Sequence, residues 1–195
     1  MSLIKRGESL LLVIDAQENF YPPSRFDVDD YVLGAAFDRM AWLVAAADAL
    51  DVPVIVTEEE PEENGETVAR IKDQLPSTAQ TLPKRYFAAP DNPDILAAIE
   101  SSDKPTVVVV GLETDICVTH TALQLQDLGK RVVVAHDCLY SPGYAHTDGL
   151  RRLADSGVDV LSAKGVFYDW IRDIETLNKV VDGNKFLQRT PGFHF

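Results

Sequence analysis

The feature that most constrains the fold is a set of apolar runs that do not alternate with polar residues. Each run has the length of a β-strand: "SLLLVIDA", "VPVIVTEE", "TVVVVG" and "RVVVAHD". A strand with one face in water alternates, so these runs are expected to be buried on both faces. Segments with helical spacing separate them, over residues 31–50, 92–102 and 116–128. The pattern predicts an α/β fold, a parallel sheet with helices on both faces.

Length and charge narrow the classes of function. The chain has 195 residues, of which 46% are hydrophobic, and this suits one globular domain over residues 1–195. Its net charge of -13 argues against binding to nucleic acid or to an anionic membrane surface. Because the sequence shows no membrane span, no signal pattern and only two cysteines, we expect a cytoplasmic protein with both thiols reduced.

Two residues with reactive side chains lie where predicted strands end, which is where parallel sheets bind ligands. Asp15 ends the first run, and either binds nearby backbone N–H groups or takes part in chemistry. Cys117 lies on the turn between "TVVVVG" and the next helix. A free cysteine is most often a small core residue, but this turn can present a side chain at the sheet edge. The helix start is expected to lower the pKa of the thiol.

Lys84 could complete a catalytic group with these two residues. It lies among apolar and aromatic neighbours in "TLPKRYFAAP". Most lysines are simply exposed, but one held among apolar side chains beside a carboxylate can supply a fixed positive charge. Asp15 would then accept the thiol proton, Lys84 would hold the thiolate, and Cys117 would attack a carbonyl carbon.

Three motifs resemble those of the isochorismatase-like cysteine hydrolases, a family that includes nicotinamidases and N-carbamoylsarcosine amidase. They are "VIDAQENF", "PKRYFAAP" and "GLETDICVTHTA", and the resemblance extends over about residues 10–161. It implies a six-stranded parallel sheet in a three-layer sandwich and a catalytic triad of Asp15, Lys84 and Cys117.

The resemblance implies further site features. The Leu112–Glu113 peptide bond would be cis, and the N–H groups of Glu113 and Cys117 would form the oxyanion hole. Phe20 would line the substrate pocket, or else pack within its loop, and Tyr86 would lie in the pocket or in the core. Relatives usually assemble, so a homodimer or homotetramer is expected. The apolar residues of the last third of the chain support this expectation: Phe167, Trp170, Phe193 and Phe195.

The stretch after the second strand bears on metal binding. Nicotinamidases similar to this chain carry an aspartate and two histidines there, whereas "VTEEEPEENGET" has no histidine. We therefore expect no metal and no other cofactor. The same stretch is expected to bring Glu58, Glu59 and Glu60 to the site edge, where they would disfavour anionic substrates.

The leading hypothesis is a cysteine hydrolase that cleaves a small-molecule amide or a related C–N bond through a thioester. One alternative is a vinyl-ether hydrolase of the isochorismatase type, which needs the aspartate and not the cysteine. The other is a non-catalytic binding protein on the same fold. The sequence leaves open whether His120 pairs with the thiol, and whether Trp170 reaches a neighbouring subunit.

Overall fold

A six-stranded sheet forms the centre of the molecule in a computed structural model, which describes residues 2–24, 27–190 and 193–194. All its strands are parallel and follow the order β3-β2-β1-β4-β5-β6. Their bounds are β1 Ser9–Ile14, β2 Val54–Glu59, β3 Gln80–Lys84, β4 Thr106–Leu112, β5 Arg131–Tyr140 and β6 Asp159–Leu161. Two antiparallel two-residue strands, β7 Arg189–Thr190 and β8 Phe193–His194, form a separate ribbon.

Helices cover both faces of this sheet, as the sequence predicts. They are α1 Asp30–Ala49, α2 Pro61–Asn64, α3 Ala69–Lys72, α4 Pro93–Ser101, α5 Thr119–Asp127, α6 Ala145–Asp155, α7 Ala163–Ile171 and α8 Ile174–Gly183. Alternate residues of each central strand enter different cores. Leu11 and Val13 pack with α1 and α7, whereas Leu10 and Leu12 pack with α4, α5 and α6. Burial on both faces explains why the strands are continuously apolar.

β3 is a strand of the sheet that the hydrophobic pattern does not reveal. It is an edge strand with mostly exposed residues, and it contains Pro83. Proline is tolerated at an edge because its missing N–H can face away from the sheet. β5 extends beyond the apolar run "RVVVAHD" to include Cys138, which is fully buried in the core.

A glycine brings the end of β4 against the end of β1. Gly111 has φ +124, and a Cβ there would lie 2.0 Å from the Ile14 carbonyl oxygen. Only glycine permits this approach, which brings the segment after β4 beside Asp15. On the other side of that segment, a Cβ on Gly149 of α6 would lie 2.8 Å from the Asp115 Cα. Close backbone packing on both sides therefore positions the turn that carries Cys117.

Aromatic residues near the C-terminus contribute to the core of this chain. Phe167 is fully buried, and the Trp170 indole Nε1 donates to Ser9 Oγ at 3.1 Å. Ser9 begins β1, at the end of the strand opposite Asp15, so Trp170 is a core residue far from the predicted site. Phe195 and the side chain of Phe193 lie outside the described part of the chain.

Within the described part of the chain, no helix is both long enough and apolar enough to cross a membrane.

Candidate active site

The structure brings Asp15, Lys84 and Cys117 together at the carboxyl edge of the sheet. Asp15 follows β1 directly and is fully buried. Its Oδ1 accepts a hydrogen bond from Thr57 Oγ1 at 2.7 Å, and its Oδ2 lies 2.6 Å from Lys84 Nζ. Thr57 was not identified from the sequence. Thr57 lies close to Asp15 because β2 pairs in parallel with β1, which places Thr57 beside Ile14.

The Lys84 ammonium is the centre of the site. Its side chain is fully buried, and Nζ lies 2.8 Å from the Tyr86 carbonyl oxygen, 3.0 Å from Glu59 Oε2 and 3.7 Å from Cys117 Sγ. Burial alone would lower the pKa of Lys84. The negative charge of Asp15, with contributions from Cys117 and Glu59, outweighs burial and raises that pKa. Lys84 is therefore a permanent cation between two carboxylates.

Cys117 lies in a single π-helical turn, Thr114–Val118, that precedes α5. Its side chain is almost fully buried, and its thiol donates to Glu59 Oε2 at 3.5 Å. Burial is the main cause that raises the pKa of the thiol, and the charges of Asp15 and Glu59 raise it further than Lys84 lowers it. The expectation of a lowered thiol pKa was wrong, because the sequence did not show that two carboxylates face one ammonium at the thiol.

Burial also perturbs the acid of the predicted triad. Desolvation raises the pKa of Asp15 to about 6, and the charge and hydrogen bond of Lys84 counteract part of this rise. Asp15 thus changes charge just below neutral pH, although it has no access to solvent.

The three consecutive glutamates after Thr57 point in different directions. Glu58 Oε1 accepts from the N–H and the hydroxyl of Thr67, both at 2.7 Å, and Glu60 lies 3.7 Å from exposed Arg85. Of the three carboxylates, that of Glu59 contacts the Lys84 ammonium and the Cys117 thiol. The expectation that all three glutamates line the site is corrected, because the carboxylates of Glu58 and Glu60 have other partners.

Gln17 explains why Glu59 is held in place. Its side chain is buried, and it bonds both backbone groups of Glu59: Oε1 accepts from the N–H at 2.7 Å and Nε2 donates to the carbonyl at 3.0 Å. Gln17 Nε2 also donates to the Gly65 carbonyl at 2.6 Å. The motif "VIDAQENF" therefore provides both Asp15 and the amide that fixes the end of β2.

The residues expected to form the oxyanion hole belong to the turn that carries the thiol. The Leu112–Glu113 peptide bond is cis. Glu113 precedes the π-helical turn with an extended backbone, and its carbonyl accepts from the Val118 N–H at 3.0 Å. Tyr21 packs against this segment. Burial raises the pKa of Tyr21, and the nearby charge of Glu113 raises it further.

The two residues expected at the substrate pocket have different surroundings. Phe20 is half-buried and packs edge-on against Tyr21, with ring centroids 5.2 Å apart. The Tyr86 ring is half-exposed and lines a surface cavity of about 520 Å³ with Glu60 and Arg85. Lys84 also lines this cavity, although its side chain is fully buried.

Asp15, Glu59 and Cys117 offer three ligand atoms within 4.8 Å of one another, a spacing that suits a metal ion. The Lys84 ammonium contacts each of these atoms, so the donor set already holds a cation. Among the described residues, histidines lie elsewhere. His120 is exposed, and its ring centroid lies 6.2 Å from that of Phe87. His146 Nδ1 lies 2.8 Å from Thr114 Oγ1.

Comparison with known proteins supplies a family context for this site. Residues 9–165 match a family model described as "Isochorismatase domain". Isochorismatase domain-containing protein 2 of Xenopus laevis is 31% identical over 173 residues, which cover 87% of this chain and 80% of that protein.

Solved structures share the fold. The MAR1 ribonuclease of Caenorhabditis elegans superposes with a TM-score of 0.85 at 22% identity, over 99% of this chain and 96% of that one. The Escherichia coli YcaC gene product is described as an octameric hydrolase of unknown specificity. It superposes with a TM-score of 0.78 at 22% identity, over 91% of this chain and 88% of that one. At these identities the likeness concerns the fold alone.

Proposed function

Because the chain belongs to the isochorismatase family, we propose that it is a cysteine hydrolase that cleaves a small amide, or a related C–N bond, through a thioester intermediate. The observation that carries this proposal is the buried contact of Lys84 Nζ with Asp15 Oδ2 at 2.6 Å and with Cys117 Sγ at 3.7 Å. A buried ammonium beside a thiol can stabilise the negative charge that sulfur acquires when it loses its proton.

The first half of the reaction is acylation. The Cys117 thiol loses its proton to the carboxylates around Lys84, and Sγ forms a bond to the carbonyl carbon. The oxygen takes up the π electrons and accepts hydrogen bonds from the N–H groups of Glu113 and Cys117. The stored proton then moves to the nitrogen, the C–N bond breaks, and ammonia or an amine leaves. Because the pKa of the resting thiol is raised, proton loss accompanies attack instead of preceding it.

Water completes the second half of the reaction. It adds to the thioester carbon, its proton returns to the site, and the C–S bond breaks to release a carboxylic acid and the thiol. The almost complete burial of Cys117 favours small substrates. In this proposal Phe20 and Tyr86 contribute to the walls of the substrate pocket, and no metal or other cofactor is needed.

A panel of small amides tests the proposal, with ammonia release as the measurement. Cys117→Ala is expected to abolish turnover, because it removes the nucleophile. Cys138→Ala is the matched control, since it removes the other free thiol from the core away from the site. Retained turnover in purified Cys117→Ala would eliminate the thioester mechanism.

The two alternatives predict different results in the same experiment. A vinyl-ether hydrolase that acts by acid catalysis would keep its activity in Cys117→Ala and lose it in Asp15→Asn. A binding protein would turn over no amide, and its ligand would bind equally well to the wild type and to both variants. The contacts of the thiol with Lys84 and Glu59 favour the cysteine hydrolase.

We also propose a cytoplasmic homo-oligomer, a dimer or tetramer, that acts on a small molecule and not on nucleic acid. Both cysteines are free, which fits a reducing compartment. The net charge of -13 opposes contact with phosphate backbones. Exposed apolar side chains such as Ile174 and Phe87 offer surface for subunit contacts, and the similar YcaC structure is octameric.

A further inference from the structure

Glu59 contacts the thiol in a way that the triad of Asp15, Lys84 and Cys117 does not account for. Its Oε2 accepts from Cys117 Sγ at 3.5 Å and lies 3.0 Å from Lys84 Nζ. We propose that Glu59 is a fourth catalytic residue, the carboxylate that receives the thiol proton and returns it to the leaving nitrogen. This inference rests on the proposed cysteine hydrolase function.

Asp15 is less suited to this task than Glu59. Both of its oxygens are engaged, Oδ1 by the Thr57 hydroxyl and Oδ2 by the Lys84 ammonium. It is also fully buried, so its carboxylate does not reach the solvent side. The geometry gives Asp15 the role of holding Lys84 in its charged form, while a different carboxylate exchanges protons with the reacting atoms.

Glu59 combines a fixed backbone with partial exposure of its carboxylate. Gln17 bonds its N–H and its carbonyl, and Asn64 Nδ2 donates to the same carbonyl at 2.8 Å. Its side chain is 22% exposed, whereas those of Asp15 and Lys84 are fully buried. Of the carboxylates that contact Lys84, Glu59 is thus the one that meets the solvent side, from which a substrate enters.

Each proton that leaves one group in the proposed steps is taken up by another. The S–H bond breaks as the S–C bond forms, and the proton passes to Glu59 Oε2, which becomes neutral. When the C–N bond breaks, the Glu59 carboxyl O–H donates this proton to nitrogen and becomes a carboxylate again. During deacylation it accepts a proton from water and returns it to Cys117 Sγ. Lys84 stays charged throughout.

Glu59→Gln tests the inference because it removes the acceptor with almost no change of shape. We expect kcat/KM for an amide to fall by roughly 100-fold or more, the usual contribution of general acid–base catalysis. Loss of the Glu59 charge and of its hydrogen bond should at the same time lower the pKa of the thiol. Alkylation of Cys117 by iodoacetamide at neutral pH should therefore become faster while turnover becomes slower.

Glu8→Gln is the matched control, since it removes one negative charge from an exposed residue that pairs with Lys5 before β1, at the end of the strand opposite Asp15. We expect it to change neither measurement. Glu59→Asp keeps the charge and should retain more turnover than Glu59→Gln. The inference is overturned if Glu59→Gln turns over amide normally, or if it slows alkylation and turnover together, as a distorted site would.

The two readouts also separate this inference from the proposed function. If the wild type hydrolyses no amide of the panel, the amidase proposal fails. The alkylation profile then decides by itself whether Glu59 holds the thiol proton. An unchanged pH profile of alkylation in Glu59→Gln would overturn the role of Glu59, whether or not any amide is hydrolysed.

Discussion

Removal of the Lys84 charge is the perturbation with the largest consequence for stability. Lys84→Met keeps a long side chain but removes the ammonium. In the wild type this ammonium lies 2.6 Å from the Asp15 carboxylate and 3.0 Å from the Glu59 carboxylate. Loss of one partner from a buried ion pair costs about 3–5 kcal/mol, because the remaining charge stays buried. We expect a loss of this size in the free energy of unfolding at about pH 8.

The loss should shrink in acid, because Asp15 can bind a proton instead. Protonation of a carboxyl whose unfolded pKa is about 3.9 costs about 1.4 kcal/mol per pH unit above that value, so about 5.6 kcal/mol at pH 8 and about 2.2 kcal/mol at pH 5.5. Without Lys84, the pKa of folded Asp15 rises further above its unfolded value. The folded state then binds more protons than the unfolded state, so the stability of the variant increases as the pH falls.

Urea denaturation followed by circular dichroism at both pH values measures the effect. Lys72→Met is the matched control, because it makes the same substitution in an exposed pair, Lys72 with Glu66, and should change stability little. The reasoning is refuted if Lys84→Met loses no more stability than Lys72→Met. It is also refuted if the loss is equal at both pH values.

Four further predictions concern activity and assembly. For the wild type, kcat/KM should decline as the pH falls below about 6, the pKa of Asp15, because protonation removes the charge that holds Lys84; a flat profile there would contradict this role. Turnover should survive dialysis against EDTA, since Lys84 fills the donor set, and restoration by added zinc would contradict this. A neutral amide should have a higher kcat/KM than its carboxylated analogue at low and at high salt, because Glu59 faces the entrance; a preference for the anion would oppose it. Light scattering should give a dimer or tetramer at micromolar concentration, and a monomer would refute the assembly.

Much of the fold could be predicted from the sequence because it depends on short-range pattern. Continuous apolar runs specify strands buried on both faces, and helical spacing between them specifies a parallel sheet with two helical layers. Asp15 and Cys117 could be located for the same reason, since Asp15 lies at the end of one such run and Cys117 on the turn after another. β3 could not be located by pattern, because an edge strand with Pro83 buries too little surface to need apolar residues.

The composition of the site was decided by tertiary structure. The sequence presents Glu58, Glu59 and Glu60 as equivalent, but the end of β2 directs only Glu59 to Lys84 and the thiol. Thr57 becomes a partner of Asp15 only through the pairing of β1 with β2. The pKa of Cys117 depends on the same placement. A helix start favours a thiolate locally, but burial beside two carboxylates disfavours it more, and burial and distance exist only in the folded chain.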